Sequence, residues 1–257
     1  MDILLQNELL DLAKRLGHEA GSLLSNRPVD FELSMKSSVL DFATQMDKAS
    51  EAFLVDSILK VRPDDGIVAE EGSSKESKSG ITWVIDPLDG TVNYLYNLPG
   101  WNVCIAAKDN AGVQVGVVSA PSVNSLWHAR KGGGAFHNDR PIKCNDPKEL
   151  SGALIATGFS YDVKKRIEQA EMFSQIIPKI RDARRLGGAG VDLSYVAMGV
   201  LDGFYEYGLN EWDYAAGGLI ATEAGAIISG RNGSPVSKEM TIVAGPTLHG
   251  LLSAAIG

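Results

Sequence analysis

The 257-residue chain is 44% hydrophobic and 22% charged, the make-up of an ordinary soluble globular protein long enough to bury a large core without covalent staples. Its formal net charge of −8 disfavours a broad grip on nucleic acid or an anionic membrane, since both want clustered lysine and arginine. Two cysteines, Cys104 in an apolar run and Cys144 in a polar loop, are too few for a disulfide scaffold or zinc site and read as free thiols in a reducing compartment.

The opening Met1-Asp2-Ile3-Leu4-Leu5 is soon followed by Asn7, Glu8, Asp11 and Lys14, so it lacks the basic start and unbroken apolar stretch of a signal peptide. No segment reaches the roughly 18 apolar residues that a bilayer requires, and the cytoplasm is the expected location. Leu5, Leu9, Leu12, Leu16, Ala20 and Leu23 recur at helical spacing, which predicts an amphipathic helix over Ile3 to Leu24. A second helix is expected from about Asp47 to Lys60, then the Pro63-Asp64-Asp65-Gly66 turn and a short strand from Ile67 to Ala69. The serine- and lysine-rich run Gly72 to Gly80 reads as an exposed, mobile loop.

The branched and aromatic run Trp83 to Ile85 predicts a buried strand that stops abruptly at Asp86-Pro87-Leu88-Asp89-Gly90-Thr91. Pro87 fixes φ and removes a donor, and Gly90 allows close backbone approach, so this turn can aim two carboxylates and a bare carbonyl at one point. Period-two runs follow, Val103 to Ala107, Val113 to Ser119 and Ser125 to Lys131, which predict an antiparallel meander. Gly132-Gly133-Gly134 lacks the glycine spacing of a dinucleotide site and the Gly-Lys-Ser/Thr of a P-loop, and reads as a tight strand connection.

Beyond Ser151, strands Leu154 to Thr157, Phe204 to Tyr207, Ala226 to Ser229 and Thr241 to Ala244 alternate with helices near Lys164 to Ile177, Val191 to Met198, from about Asp213, and after Pro246. With no internal repeat and no obvious linker, the expectation is one layered α/β or α+β body over 1–257, in sub-halves of about 1–147 and 148–257. Three further acidic sites border regular elements: Glu70-Glu71 after a strand, Asp213 after Trp212 at a helix start, and Asp47 before a helix. Each alone also fits a surface or helix-capping carboxylate.

Taken together, Glu70-Glu71, Asp86-Pro87-Leu88-Asp89-Gly90-Thr91 and Trp212-Asp213-Tyr214-Ala215-Ala216-Gly217 resemble the three signatures of the inositol monophosphatase family, in order and spacing. The resemblance implies a five-layered α-β-α-β-α sandwich of the sugar phosphatase superfamily and a homodimer. It also implies magnesium-dependent, lithium-sensitive hydrolysis of a small phosphate monoester by a metal-activated water. The metal ligands it implies are Glu70, Asp86, the Leu88 carbonyl, Asp89 and Asp213, with Glu70 also counted as catalytic. Thr91 resembles the family threonine that orients or deprotonates the attacking water, and Asp47 matches its carboxylate partner. Glu206 resembles a glutamate that bonds a substrate hydroxyl, and Ala189 a contact made through the pocket backbone. Gly90 and Thr91 would cradle phosphate oxygens at a helix start, and Asp213 also faces the substrate.

The residue chemistry is consistent with that picture. Several carboxylates converging on one pocket repel unless cations neutralise them, and hard oxygen donors without histidine or cysteine select magnesium, or manganese as substitute. Two or three such ions, about 3.5 to 4 Å apart, can polarise a phosphoryl group and activate water. His18, His128, His137 and His249 are scattered, with packing or surface roles expected. A strand-edge Glu206 paired with Arg184 or Arg185, and a helix-capping Thr91, are the plainer readings of those two residues.

The expected reaction is inositol-1-phosphate to inositol and phosphate. Fructose-1,6-bisphosphatase, histidinol-phosphate phosphatase and nucleotide 3′-phosphatase activities of the same fold are the alternatives. A regulatory binding protein is a further one, because bacterial relatives that the chain resembles also associate with the transcription machinery. Neither a membrane nor direct nucleic-acid contact is expected.

Overall fold

The computed structural model describes residues 1–38 and 41–257. In the N-terminal half the elements are α1 (Ile3–Ser25), the hairpin β1 (Leu33–Ser38) and β2 (Asp41–Thr44), α2 (Gln45–Val61), β3 (Gly66–Ala69), β4 (Ser74–Lys75), β5 (Thr82–Asp89) and α3 (Thr91–Leu95). β6 (Asn102–Asp109), β7 (Gly112–Ala120), β8 (Ser125–Arg130), β9 (Ala135–His137) and β10 (Arg140–Pro141) complete it. The C-terminal half holds β11 (Leu154–Thr157), α4 (Val163–Ile176), β12 (Asp182–Arg184), α5 (Ala189–Ala197), β13 (Gly203–Glu206), α6 (Glu211–Glu223), β14 (Ile227–Ser229), β15 (Thr241–Ala244) and α7 (Pro246–Ile256).

Among the described residues the strands form an eight-stranded sheet in the order β10-β9-β8-β7-β6-β5-β3-β4, a five-stranded sheet in the order β12-β11-β13-β15-β14, and the separate hairpin. The period-two side-chain alternation of a strand sorts the core into layers. From β5, Trp83 and Ile85 face a core shared with Leu16 of α1 and Leu54 and Ile58 of α2. Val84 faces the opposite way, into a central core with Val191 and Leu193 of α5, Ile220 of α6 and Phe204 of β13. Tyr205, next to Phe204, turns instead to a third core with Ile176 of α4 and Leu248 and Leu252 of α7. The result is helix, sheet, helix, sheet, helix, the five-layered α/β sandwich. Both sheets are covered on both faces, which explains why their strands read as nearly continuous apolar runs.

Three local expectations need correction. The strand does not stop at Asp86: β5 continues through Pro87 to Asp89, and its register against β6 slips between Asp86 and Asp89, where proline supplies no ladder donor. The run Gly72 to Gly80 is not a free loop. It carries β4, paired to β3, and is tied down by Lys75 Nζ bonds of 2.7 Å to the Pro63 and Asp65 carbonyls and by Ser79 Oγ donating to Asp65 at 2.6 Å. The β1–β2 hairpin was not anticipated, because in Leu33-Ser34-Met35-Lys36-Ser37-Ser38 the apolar alternation lasts only four residues before the sequence turns polar, and Leu33 and Met35 stay exposed instead of marking a buried face.

Candidate active site

β3 and β5 run parallel, with Ala69 opposite Ile85, so both deliver their following residues to the same sheet edge. The Glu70 N–H donates to the Ile85 carbonyl at 3.2 Å, and buried Glu51 of α2 accepts the Glu71 and Ser73 N–H groups at 2.7 and 2.9 Å. These bonds fix the backbone that carries Glu70. In the bulge, the Leu88 N–H donates to Asp86 Oδ1 at 3.1 Å and Ser50 Oγ donates to the Pro87 carbonyl at 2.8 Å. The Leu88 carbonyl is left facing Thr91, whose Oγ1 lies 3.2 Å from it.

Asp89 joins the two halves. Its Oδ2 accepts from Asn102 Nδ2 at 2.9 Å and from the Gly190 N–H at 2.7 Å, and its Oδ1 from the Ala189 N–H at 3.2 Å. The N-terminus of α5 therefore points at this carboxylate, a charge-assisted arrangement that the helix dipole favours. Gly190 is required for the approach: a Cβ there would lie 2.3 Å from Asn102 Oδ1 and 2.4 Å from Cys104 Sγ. Asp213, at the third position of α6, accepts from the Asn210 N–H at 2.6 Å and so closes a capping box. Asp47 does the same for α2, accepting from the Thr44 N–H at 2.7 Å and Thr44 Oγ1 at 2.6 Å. Its other oxygen accepts from Thr91 Oγ1 at 3.0 Å.

Glu70, Asp86, Leu88, Asp89, Gly90, Thr91, Ala189, Glu206 and Asp213 all border one cavity of about 380 Å³, and Asp47 lies directly behind Thr91, 1% exposed. The lining includes eight carboxylates against two cations, Lys36 and Arg185. Burial, then the charges of Glu70, Asp89 and Asp213, hold the Asp86 carboxyl well above its ordinary range. Burial likewise raises Asp213, with Glu70 and Asp89 adding to it, and pushes Asp89 up to about 6 against the hydrogen bonds that favour its charge. Buried Asp47 is raised too, partly offset by Thr44 and Thr91. Lys36 Nζ stands 2.8 Å from Glu70 Oε1 and 2.5 Å from Glu71 Oε1.

Such crowding of carboxylates is the signature of a cation site, and oxygen donors alone suit a hard divalent ion. As placed, no three acidic, histidine or cysteine side chains among the described residues stand in a metal-holding cluster. The Lys36 ammonium lies against Glu70, and Asp89 and Asp213 each spend an oxygen on backbone donors. The donor chemistry and the shared cavity fit a magnesium-type ion.

A family model described as the inositol monophosphatase family matches residues 5–256. The chain belongs to that family. It is 39% identical over 232 residues to a Nus factor SuhB of Pasteurella multocida, covering 88% of this chain and 86% of that protein. It is 37% identical over 238 residues to an inositol-1-monophosphatase SuhB of Mycobacterium tuberculosis, covering 85% and 82% respectively. The extragenic suppressor protein suhB of Bartonella henselae superposes with a TM-score of 0.92 at 29% identity, over 97% of this chain and 98% of that one.

Within this member of the inositol monophosphatase family, several residues behave differently from the plainer readings of the sequence. Thr91 is not a side-chain cap: the cap of α3 is Gly90, at φ 84°, and the Thr91 hydroxyl faces Asp47. Arg184 pairs with Asp182 at 2.6 Å rather than with Glu206. Burial pushes Glu206 up to about 8, with Arg185 pulling the other way. None of the four histidines borders the cavity among the described residues, and His249 pairs with Ser229 at 2.9 Å. No helix among the described residues is long and apolar enough to cross a membrane. Lys36, Asn102 and Asp192 were missed. A lone aspartate in the otherwise apolar run Ala189 to Ala197 was a readable signal for the last, whereas nothing in the sequence near Lys36 points at a pocket 34 residues away from it in the chain.

Proposed function

We propose that the protein is a magnesium-dependent phosphatase that hydrolyses inositol-1-phosphate, or a closely related polyol monophosphate. The observation that carries the reading is the convergence on one cavity of Glu70, which follows β3, Asp86 and Asp89 of β5, and Asp213 of α6. Glu70, Asp86, the Leu88 carbonyl, Asp89 and Asp213 would hold the metal. Magnesium bound there supplies the positive charge that offsets the phosphoryl oxygens and eases attack by water.

The chain's own groups do the rest. Thr91 Oγ1 donates to Asp47 Oδ1, which leaves its lone pair free to accept a hydrogen bond from water in the cavity and so to aim the water oxygen at phosphorus. Asp47 takes up the proton through Thr91, helped by the burial that raises its affinity for protons. The water oxygen bonds to phosphorus as the bond from phosphorus to the ester oxygen breaks, and the departing alkoxide takes a proton from solvent water in the cavity to leave as the alcohol, Asp47 later returning its own proton to solvent. Gly90 and Thr91 at the start of α3 face the phosphate, while Ala189 and Glu206 face the leaving alcohol.

The deciding experiment is a phosphate-release assay with magnesium across inositol-1-phosphate, fructose-1,6-bisphosphate, histidinol phosphate and a nucleoside 3′-phosphate. The expected outcome is the highest kcat/KM on inositol-1-phosphate, magnesium replaceable by manganese, and inhibition by lithium. A preference for another ester would reassign the substrate, and no release with any of them would remove the enzymatic reading. The Nus factor name of a 39% identical relative supports a second reading, a role in transcription apart from catalysis. In a strain that depends on the protein, retained function of a catalytically dead Asp89→Asn variant would favour it.

A further inference from the structure

We propose that Asp192 is a substrate-specificity residue at the leaving-group end of the cavity, accepting a hydrogen bond from a hydroxyl of the substrate alcohol beside the one taken by Glu206. The preferred ester would then carry at least two further hydroxyls on its alcohol. The proposal rests on the phosphatase reading above and sharpens its substrate class.

Asp192 lies in the first turn of α5, the helix whose leading N–H groups hold Asp89. It borders the same cavity as Glu206 and Arg185 but is only 2% exposed. Its Oδ1 is shut off from solvent and has no hydrogen-bond partner. Apart from Glu206, the other carboxylates discussed at this site are engaged: Asp86 has the Leu88 N–H, Asp89 three donors, Asp213 an N–H, Asp47 the Thr44 and Thr91 hydroxyls, and Glu70 has Lys36.

Leaving a buried polar group without a donor is costly, and more so for a charged one. The helix-terminus benefit available to an acidic residue in the first turn is smaller than that cost and does not account for the residue. The balance points to a donor that arrives with a ligand. Burial, reinforced by the charges of Glu206 and Asp89, also raises the carboxyl's proton affinity well above the ordinary range, as expected of a group with no donor of its own.

The test compares two esters in wild type and in Asp192→Leu and Asp192→Asn variants: myo-inositol 1-phosphate, and p-nitrophenyl phosphate, whose leaving group has no further hydroxyl. A pocket built to bond a hydroxyl loses discrimination when its acceptor is removed, so the ratio of the two kcat/KM values should fall at least about tenfold in Asp192→Leu, chiefly through KM for the inositol ester. Asp192→Asn, which keeps one acceptor oxygen, should recover part of that ratio. Melting temperatures of both variants should equal or exceed that of wild type, because Asp192→Leu removes the unpartnered group and Asp192→Asn removes its charge; a clear drop in both would assign Asp192 a structural role and overturn the proposal. An unchanged ratio, or equal losses on both esters, would overturn it too. Should Asp192→Leu fail to fold, the Asp192→Asn ratio decides. A wild type that releases phosphate from neither of these two nor from any other ester of the panel above would remove the phosphatase reading and this inference with it, activity confined to one of those other esters would overturn the inference alone, and so would an active wild type with an unaffected ratio in the variants.

Discussion

The two sheets treat their carboxylates in opposite ways. At the end of the eight-stranded sheet, Asp86 and Asp89 are held by the protein's own donors, and Asp47 and Asp213 double as helix caps. On the five-stranded side, Glu206 ends β13 with no hydrogen-bond donor among the described residues, only the charge of Arg185 acting on it, and Asp192 leaves an oxygen without a partner among them. Groups that the chain has already oriented are suited to chemistry that must be the same for every substrate. Groups left without partners are suited to reading the part of a substrate that varies. On the proposed function, preorganisation on one side and deferred hydrogen bonding on the other would divide the labour between reaction and recognition.

The largest test of that division is Asp89→Asn. The amide keeps an oxygen for the Gly190 N–H, so the link between halves survives, but the charge that would hold a divalent ion is lost. Metal assistance supplies several kcal/mol, so kcat should fall by at least about a thousandfold on every ester, the two of the Asp192 comparison included. The rise in melting temperature that magnesium gives wild type by binding only the folded state should shrink with it. Phosphate release and a magnesium titration of thermal unfolding check both halves; a loss confined to the inositol ester would break the contrast, because it would make Asp89 a recognition group.

Next in size is Asp47→Asn. Thr91 would keep a hydrogen-bond partner, and Thr44 most of its own, while the proton acceptor disappears. General-base removal costs about 10²- to 10⁴-fold, expected here in kcat with KM nearly unchanged. A rise in KM with steady kcat would place Asp47 with the binding residues.

The same contrast explains what could be read from the chain in advance. The reaction side is written locally: β5, its proline and both aspartates lie within eight residues, and Glu70 and Asp213 each adjoin a regular element with strong periodicity or capping signals. The recognition side is not, because Asp192 acquires meaning only when α5 is laid across the end of β5 and β6, a contact more than 80 residues apart in sequence. Lys36 is worse still, sitting on a short hairpin strand whose apolar residues Leu33 and Met35 stay exposed, and meeting Glu70 only through tertiary folding. The strand boundary at Asp86 misled for a related reason: proline removes one donor, but a bulge lets the ladder resume at Asp89 opposite Asn102.

A third test uses pH on the recognition side. The pKa of Glu206 in the folded protein, about 8, lies above its ordinary value, so the stability tied to it is full below about pH 4 and is lost as pH rises through 8. Glu206→Gln should therefore gain on wild type with rising pH, by a few kcal/mol at most, read as a melting-temperature difference that widens between pH 5 and 9. A constant difference would mean that a donor, not burial, governs this carboxylate.

The smallest expected effect has the opposite sign and belongs to the reaction side. Asp65, 1% exposed, sits at the start of β3, where burial works to raise its pKa but is outweighed by hydrogen bonds from Arg62 at 2.9 and 3.1 Å, Ser79 at 2.6 Å and Trp83 Nε1 at 2.9 Å. The Trp83 bond clasps β3 to β5 at the end opposite Glu70 and Asp86, and so fixes the register in which those ligands emerge. Because the folded pKa is lowered, the stability it brings is present above about pH 4 and is lost as pH falls through the lower folded value. Asp65→Asn should cost about 1–3 kcal/mol at pH 7, a cost that vanishes in acid, and kcat of the folded fraction should stay within a few-fold of wild type. Denaturant unfolding at pH 7 and pH 3 measures it; a penalty that persists at pH 3 would show that Asp65 acts through packing rather than charge, and the two sheets would then differ less in how they hold their acids than the Glu206 titration implies.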